Sequence, residues 1–392
     1  METVEINLNR LMHLLTLYRL SKDDLLARLN TGRKTPLPEK DIFVEEIKIS
    51  NLKKIDEIFK KGLSYYFDPK NPTNSKEESI FFRKDVFNAN LSLGAKQIVN
   101  KFEEEKIEFS SLAKLSDFKL NRVLPNFKIS DNPKVVASYI RKSFFPPFVI
   151  ENKRDFLKHL IAKFAEFNIL VFEFIETHNK KEKANINGFY LSPNVIVLKR
   201  NQKALKREIF TFAHEFGHYL LSDEEIDDNI YENDLEYTQL SLTERWCNDF
   251  AFYFLIGDDN QLFDSLSVAD TTNNFNKGKI EELSRKTYLS SLALYTRLLL
   301  DERISPFNYK KVKGEILKSI EEYQKSEKER LELERRKAVA QGKESRGSVP
   351  QPIISPLYLS TMKSALYYGL INEVQFCKKL NIKPDKLEKY LL

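Results

Sequence analysis

Two histidines four residues apart in an apolar helical stretch constrain this chain more than any other feature. His214-Glu215-Phe216-Gly217-His218 lies between Thr211-Phe212-Ala213 and Tyr219-Leu220-Leu221. Residues i and i+4 share one face of a helix, so both imidazoles leave the same side of an element whose flanks are apolar. Two buried imidazoles with no shared partner would be costly. A metal ion is the partner that suits them. Zn²⁺ accepts two such nitrogens, takes a third protein ligand and keeps one position for water. That water's pKa falls from ~15.7 toward ~7. Glu215, next to the first histidine, is placed to take the water's proton and pass it to a leaving amine.

The third ligand must come from further along. Asp223 to Glu236 holds eight acids in 14 residues and no Lys or Arg, a composition that reads as a solvated loop. Ser241-Leu242-Thr243-Glu244-Arg245-Trp246-Cys247-Asn248 then opens a second apolar helix that continues through Phe250, Ala251, Phe254 and Leu255. Glu244, in its first turn, is the expected third ligand. Cys247, one turn on, and Asp249 are the competitors. Cys247 reads more naturally as core.

Composition excludes several other classes. Gly makes up 11 of 392 residues, well under the usual ~7%. No two glycines stand at G-x-G spacing, and no G-x-x-x-x-G-K-[ST] occurs, so a phosphate-cradling glycine loop is not expected. Few glycines with many Leu, Lys and Glu point to a mostly helical protein. The two cysteines, Cys247 and Cys377, make no disulfide framework. The acidic start Met1-Glu2-Thr3-Val4-Glu5 is no signal peptide. The most apolar stretch, Phe156 to Ile175, is broken by Lys158, His159, Lys163, Glu166 and Glu173 and does not span a bilayer. A soluble, cytoplasmic protein without membrane partners is expected. The net charge of +6 is only weakly suggestive of nucleic acid.

The expected fold class is α+β and mostly helical, in five parts. Residues 1–70 read as a module of short helices. In it, Leu8, Leu11, Leu15 and Tyr18 share a face, Ser21 caps a helix at Leu25–Leu29, and Thr31 to Pro38 is broken by Gly32, Pro36 and Pro38. A helix over about 51–61 turns Leu52, Ile55, Ile58 and Phe59 inward. Residues 71–129 read as a helical connecting region, and helix is expected over most of 71–150. Residues 130–310 carry the two metal-binding helices. Phe156–Phe167 is predicted helical, Asn168–Ile175 a strand, and Gly188–Leu191 with Val195–Leu198 a hairpin around Ser192-Pro193-Asn194. Together the strands make a small sheet beside the His214–His218 helix, and this is the one β-rich region expected. Leu283–Leu300 reads as a single helix. Residues 311–350 form a charged helix and linker, with 13 of the 22 residues from Lys325 to Arg346 charged. Residues 351–392 make a C-terminal module of three packed helices with helix-turn-helix rhythm, read as packing without DNA contact.

Several blocks, in order, resemble the ImmA/IrrE metallopeptidases, gluzincin-like zinc proteins often fused to helix-turn-helix domains. Arg207 to His218 resembles the family's R-x-x-F-T-x-A-H-E-[LI]-[GS]-H. Glu244-Arg245-Trp246-Cys247-Asn248-Asp249-Phe250-Ala251 is similar to its E-x-x-x-N-x-F-A helix, whose leading Glu is the third zinc ligand. Ile186-Asn187-Gly188-Phe189 and Val195-Ile196-Val197 resemble the hairpin bordering the cleft, and Ala137-Ser138-Tyr139-Ile140-Arg141 the helix before it. Ile256-Gly257-Asp258 stands where the family often has Met-Pro. Leu20 to Ala27 resembles the start of a helix-turn-helix, with Pro36 and Pro38 where a recognition helix would follow.

The resemblance implies a zincin-like catalytic domain flanked by helical N- and C-terminal modules, the N-terminal one a degenerate helix-turn-helix. It implies Zn²⁺ as cofactor, His214, His218 and Glu244 as ligands and Glu215 as base. The implied activity is a zinc endopeptidase with a narrow protein substrate, a transcriptional repressor or antitoxin-like regulator. Gly188, Phe189 and Tyr190 on the hairpin are the expected substrate-binding residues, since a strand edge accepts an extended peptide by strand addition. Tyr190, Tyr219 and Tyr237 are candidates to donate to a tetrahedral oxyanion. The alternative is a non-catalytic member of the fold: a DNA-binding regulator, or a toxin–antitoxin or phage-defence component acting by protein contact.

Overall fold

The structure is a computed structural model, and it describes residues 2–72, 91–146, 150–176, 182–200, 205–224, 240–341 and 351–391. It has two compact units. One comprises Met1–Ser111 with His178–Ile186 and Glu224–Ile230, the other Leu112–Thr177, Asn187–Asp223 and Tyr231–Leu392.

The first unit runs β1 (Thr3–Glu5), α1 (Leu8–Tyr18), α2 (Lys22–Asn30), β2 (Glu46–Lys48), α3 (Ile49–Phe59), α4 (Leu63–Phe67) and most of α5 (Leu93–Leu115). α1 buries Leu11, Leu14, Leu15, Leu17 and Tyr18. α2 opens on the expected Ser21 cap, completed as a capping box with Asp24. The antiparallel β1–β2 pair, with Val4 opposite Ile47, corrects the reading of this segment as helices alone. Strands of three residues are too short for a two-residue period to register in sequence. Among the described residues no α-helix lies between Asn30 and Ile49, so nothing stands where a recognition helix would follow α2. Helix α3 starts and stops two residues earlier than expected, because Lys60 takes a left-handed turn at φ 59°.

The second unit holds α6 (Pro133–Phe144), α7 (Lys153–Glu166), β3 (Leu170–Ile175), β4 (Gly188–Leu191), β5 (Val195–Arg200), α8 (Leu205–Leu221), α9 (Leu242–Ile256), α10 (Asn260–Asp264), α11 (Lys277–Lys286), α12 (Ser291–Leu300), α13 (Pro306–Ala340), α14 (Pro356–Tyr367), α15 (Glu373–Leu380) and α16 (Leu387–Leu391). The architecture is mostly helical with one small mixed sheet, in line with the α+β expectation. Strand order is β3-β5-β4. β3 runs parallel to β5 with Leu170 opposite Val195, and β4 antiparallel with Gly188 opposite Leu198. β3 opens at Leu170 rather than Asn168, whose φ of 58° turns the chain out of α7.

Two further readings need correction. Residues 116–132 carry no helix, so 71–150 is less helical than its composition suggests, and residues 73–90 lie outside the described residues. The helix expected over Leu283–Leu300 is two. Thr287 bonds its hydroxyl back to the Leu283 carbonyl at 2.7 Å and closes α11, and Ser290 caps α12 by accepting from the Ala293 amide at 3.1 Å.

Helices α8 and α9 lie at the centre. Every residue of α8 from Glu208 to Leu220 is buried, so no face of this helix is left to solvent. Phe216 meets Phe164 at 4.4 Å and Phe144 at 5.0 Å between ring centroids, and Phe250 and Phe254 of α9 close the same aromatic cluster. The β4–β5 hairpin packs on α8. Arg122 stacks on the Tyr219 ring at 4.0 Å and donates to the Tyr219 carbonyl at 2.8 Å, closing the end of α8. Arg141 donates to the Phe254 carbonyl and does the same for α9.

Gly217 sets how closely α8 and α9 approach. A Cβ there would lie 3.0 Å from Cys247 Sγ and 3.1 Å from Cys247 Cα. We expect Gly217→Leu to force the two backbones apart at an overpacking cost of ~1–3 kcal/mol. Thermal unfolding should show a clear fall in Tm, and an unchanged Tm would mean that this contact does not hold the helices together in solution.

Candidate metal centre

Three buried ligand atoms meet between α8 and α9. His214 Nε2 and His218 Nε2 are 3.1 Å apart, and Glu244 places Oε2 at 3.1 Å from the first and Oε1 at 3.0 Å from the second. His214, His218 and Glu244 are each no more than 2% exposed. The sequence explains the placement. The four-residue spacing puts both rings on one side of α8. Ser241 caps α9 by accepting from the Glu244 amide at 3.1 Å, which puts Glu244 in the first turn, where the helix dipole favours a carboxylate.

The outer ring nitrogens decide the chemistry. His218 Nδ1 lies 3.2 Å from the Asp223 backbone carbonyl, which can only accept, so this nitrogen carries the proton. His214 Nδ1 lies 3.1 Å from Asn248 Oδ1, and the same reasoning applies. In the neutral rings both Nε2 atoms then face each other and a carboxylate as lone pairs. Such a group needs positive charge at its centre, either a proton on an Nε2 or a metal ion. Outer-shell partners of this kind fix the tautomer and orientation of metal-binding histidines. Burial works against the charged carboxylate of Glu244, but His214 and His218 against it hold its pKa well below the usual range. Among the described residues this is the one cluster of His, Cys, Asp and Glu able to hold a metal ion.

The competing ligands are not members of this cluster, although Cys247 lies against His218. Cys247 faces Gly217 in the helix contact, and burial pushes its thiol up to about 12, whereas a metal ligand must be a thiolate. Asp249 is paired with Arg297 of α12.

Glu215 lies on α8 between the two ligands and is 4% exposed. Its Oε2 is buried with no hydrogen-bond partner. Burial pushes its carboxyl up to about 8, with His218 opposing and Glu244 adding to the rise. Gly188, the first residue of β4, is what gives this side chain room. A Cβ at Gly188 would lie 2.8 Å from Thr211 Cγ2 and 3.1 Å from Glu215 Cγ. The side chains of Phe189 and Tyr190 are fully buried. Tyr190 donates its hydroxyl to the Pro193 carbonyl at 3.0 Å. β4 borders the sheet, but Phe189 and Tyr190 are buried as whole residues, backbone included. The Tyr219 hydroxyl is buried and unbonded, its ring edge-on to Tyr190 at 5.9 Å. Tyr237 and most of the acidic stretch, residues 225–239, lie outside the described residues.

Two residues of the site escaped the sequence reading. Asn248, four residues after Glu244 on the same face of α9, orients His214. Asp223, read as the start of a solvated loop, holds His218 through its carbonyl. Its side chain accepts from the Thr243 hydroxyl at 3.0 Å, joining the end of α8 to the start of α9. The i+4 spacing could have pointed to Asn248, but a backbone carbonyl leaves no mark in sequence.

Residues 165–262 match the model of the Peptidase M78 family, described as the IrrE N-terminal-like domain. No curated protein and no solved structure matches the chain. The matched quarter of the chain runs from the end of α7 through α10 and contains all three candidate ligands and Glu215. It supports the ImmA/IrrE family and implies a metallopeptidase-type hydrolase with a protein substrate.

Proposed function

We propose that this protein is a zinc-dependent endopeptidase. The observation that carries the reading is the convergence of two imidazole Nε2 atoms and a carboxylate beside a buried, unbonded carboxylate oxygen of Glu215. The donor set suits zinc. Bonds of ~2.0–2.1 Å in tetrahedral geometry separate ligand atoms by about 3.3 Å, and the three pairs here lie 3.0 to 3.1 Å apart. Two nitrogens and one oxygen leave a position open. Bound there, zinc supplies Lewis-acid activation of water and of the scissile carbonyl.

The chain's own residues do the rest. His214, His218 and Glu244 hold the ion, oriented by Asn248 and Asp223. Glu215 accepts the proton of the attacking water on its free oxygen and returns it to the departing amine nitrogen, so the carboxyl ends as it began. β4, at the border of the sheet, is the strand proposed to meet an extended substrate segment, once its covered backbone is uncovered. A narrow substrate, a repressor or antitoxin-like regulator, is part of the same proposal and rests on the resemblance to the ImmA/IrrE family. A cytoplasmic setting belongs to the same proposal. Among the described residues no helix is long and apolar enough to cross a membrane.

Glu215→Gln should keep stoichiometric zinc, measured by elemental analysis of the purified protein. It should lose at least ~10²-fold in turnover on a peptide library. Retained turnover would hand the water's proton to another group and end the assignment of Glu215 as base.

Glu244→Ala should lose both metal and activity, since only two protein ligands remain. Should Cys247→Ala shed the metal while Glu244→Ala retains it, the ligand set proposed here would be wrong.

A further inference from the structure

The helical segment 356–391 has no part in the metal centre. α14 buries Leu357, Thr361, Met362 and Ala365, and α15 buries Phe376, Cys377 and Leu380. α15 opens on a capping box between Asn372 and Gln375 and stops at Asn381, whose φ of 51° is left-handed. The amides of Asn381 and Ile382 turn back to the carbonyls of Lys378 and Cys377 at 3.3 and 3.0 Å. Lys383 then leads into a single 3₁₀ turn, Pro384–Lys386, which continues as α16. Lys363 of α14 donates to the Leu391 carbonyl at 3.2 Å, tying the last helix to the first. Two helices joined by three residues with a left-handed turn make a helix-turn-helix. The apolar positions agree, since Phe376 and Leu380 are buried and Ile382, Leu387 and Tyr390 half-buried. Three helices, α14 to α16, lie where the sequence reading places a C-terminal module packed without DNA contact, and the DNA contact proposed below departs from the second half of that reading. The left-handed turn, which only the structure shows, gives the packing a more specific meaning.

Charge indicates the partner. Over the whole chain Lys and Arg barely outnumber Asp and Glu, 63 to 57. Between Pro356 and Leu391 six lysines face three acids, and five of the six fall between Lys378 and Lys389. Lys378, Lys383, Lys386 and Lys389 are exposed. In such a module the second helix enters the major groove while the first crosses the backbone. Here the second helix is Pro384–Leu391, with Lys383, Lys386 and Lys389 along it and Asp385 and Glu388 between them. Tyr367, Tyr368 and Val374 are also exposed, at 86%, 56% and 75%. They border the turn into α15, and a protein partner is the rival occupant they would suit.

We propose that residues 356–391 bind duplex DNA through its phosphates, with Pro384–Leu391 directed at the groove. This does not depend on the peptidase reading. The test is fluorescence anisotropy of the full chain with a labelled mixed-sequence duplex of about 30 base pairs, at salt from ~50 to ~200 mM. Wild type should bind, with affinity falling linearly in log–log form as salt rises. The triple variant K383Q/K386Q/K389Q should bind at least ~10-fold more weakly and lose about 2–3 from the salt slope. Its far-ultraviolet spectrum and metal content should match wild type, as the three positions are exposed. A matched variant on the exposed part of α13, K318Q/K325Q/K328Q, should leave binding unchanged. Equal weakening by both triple variants would reduce the effect to net charge and overturn the proposal. So would no binding at the lowest salt, which would leave the tyrosine-bearing face to a protein partner.

Discussion

The contact between α8 and α9 is the constraint on which the rest of the second unit depends. At Gly217 the backbone of α8 meets Cys247 of α9 directly, with no side chain from α8 between them, and that distance lets a carboxylate on one helix reach two imidazoles on the other. Separate the backbones by one side chain and Glu244 no longer reaches His214 and His218. The same approach buries all three groups. Burying a carboxylate beside two neutral rings is unfavourable unless something positive lies among them. The packing and the need for a cation therefore have one origin.

A second layer holds the first in place, and it is mostly backbone and short polar side chains. Ser241 sets where α9 begins, and so which residue occupies its first turn. Asn248 and the Asp223 carbonyl hold the proton positions of the two rings. Asp223 also reaches Thr243, so the end of one metal-bearing helix is tied to the start of the other. On the opposite flank Gly188 lets β4 lie against Glu215, which joins the sheet to the residue proposed as base. None of these contacts involves a long or flexible side chain, so little conformational entropy is lost in holding the geometry.

The candidate metal cluster was legible in the sequence because its residues declare themselves by spacing. His214 and His218 four apart, and Glu244 three residues after a capping serine, are patterns set by the helix itself. Sheet and helices were legible where the pattern was long: β3 and β5 as apolar runs, α7 and α8 by their period. What was missed was short or irregular. The β1–β2 pair has three residues in each strand, and the break between α11 and α12 rests on two hydroxyl hydrogen bonds. The stretch 116–132, charged and apolar by turns, folds as irregular chain.

By itself the sequence determined that two imidazoles and a glutamate lie on one helix, and that a second amphipathic helix offers a carboxylate in its first turn. Both follow from local periodicity, which any isolated segment would show. Only the tertiary structure decided which of Glu244, Cys247 and Asp249 completes the cluster. All three lie within two turns of α9, and their choice depends on how α9 is rotated against α8. Gly217 and the aromatic rings around Phe216 set that rotation, turning Cys247 into the helix contact and leaving Asp249 to Arg297. Likewise, sequence alone left Tyr190 of the hairpin open as an oxyanion donor, beside Tyr219 and Tyr237. The sheet's packing on α8 sends Tyr190 into the core, because a side chain's direction depends on which face its strand turns toward its neighbour.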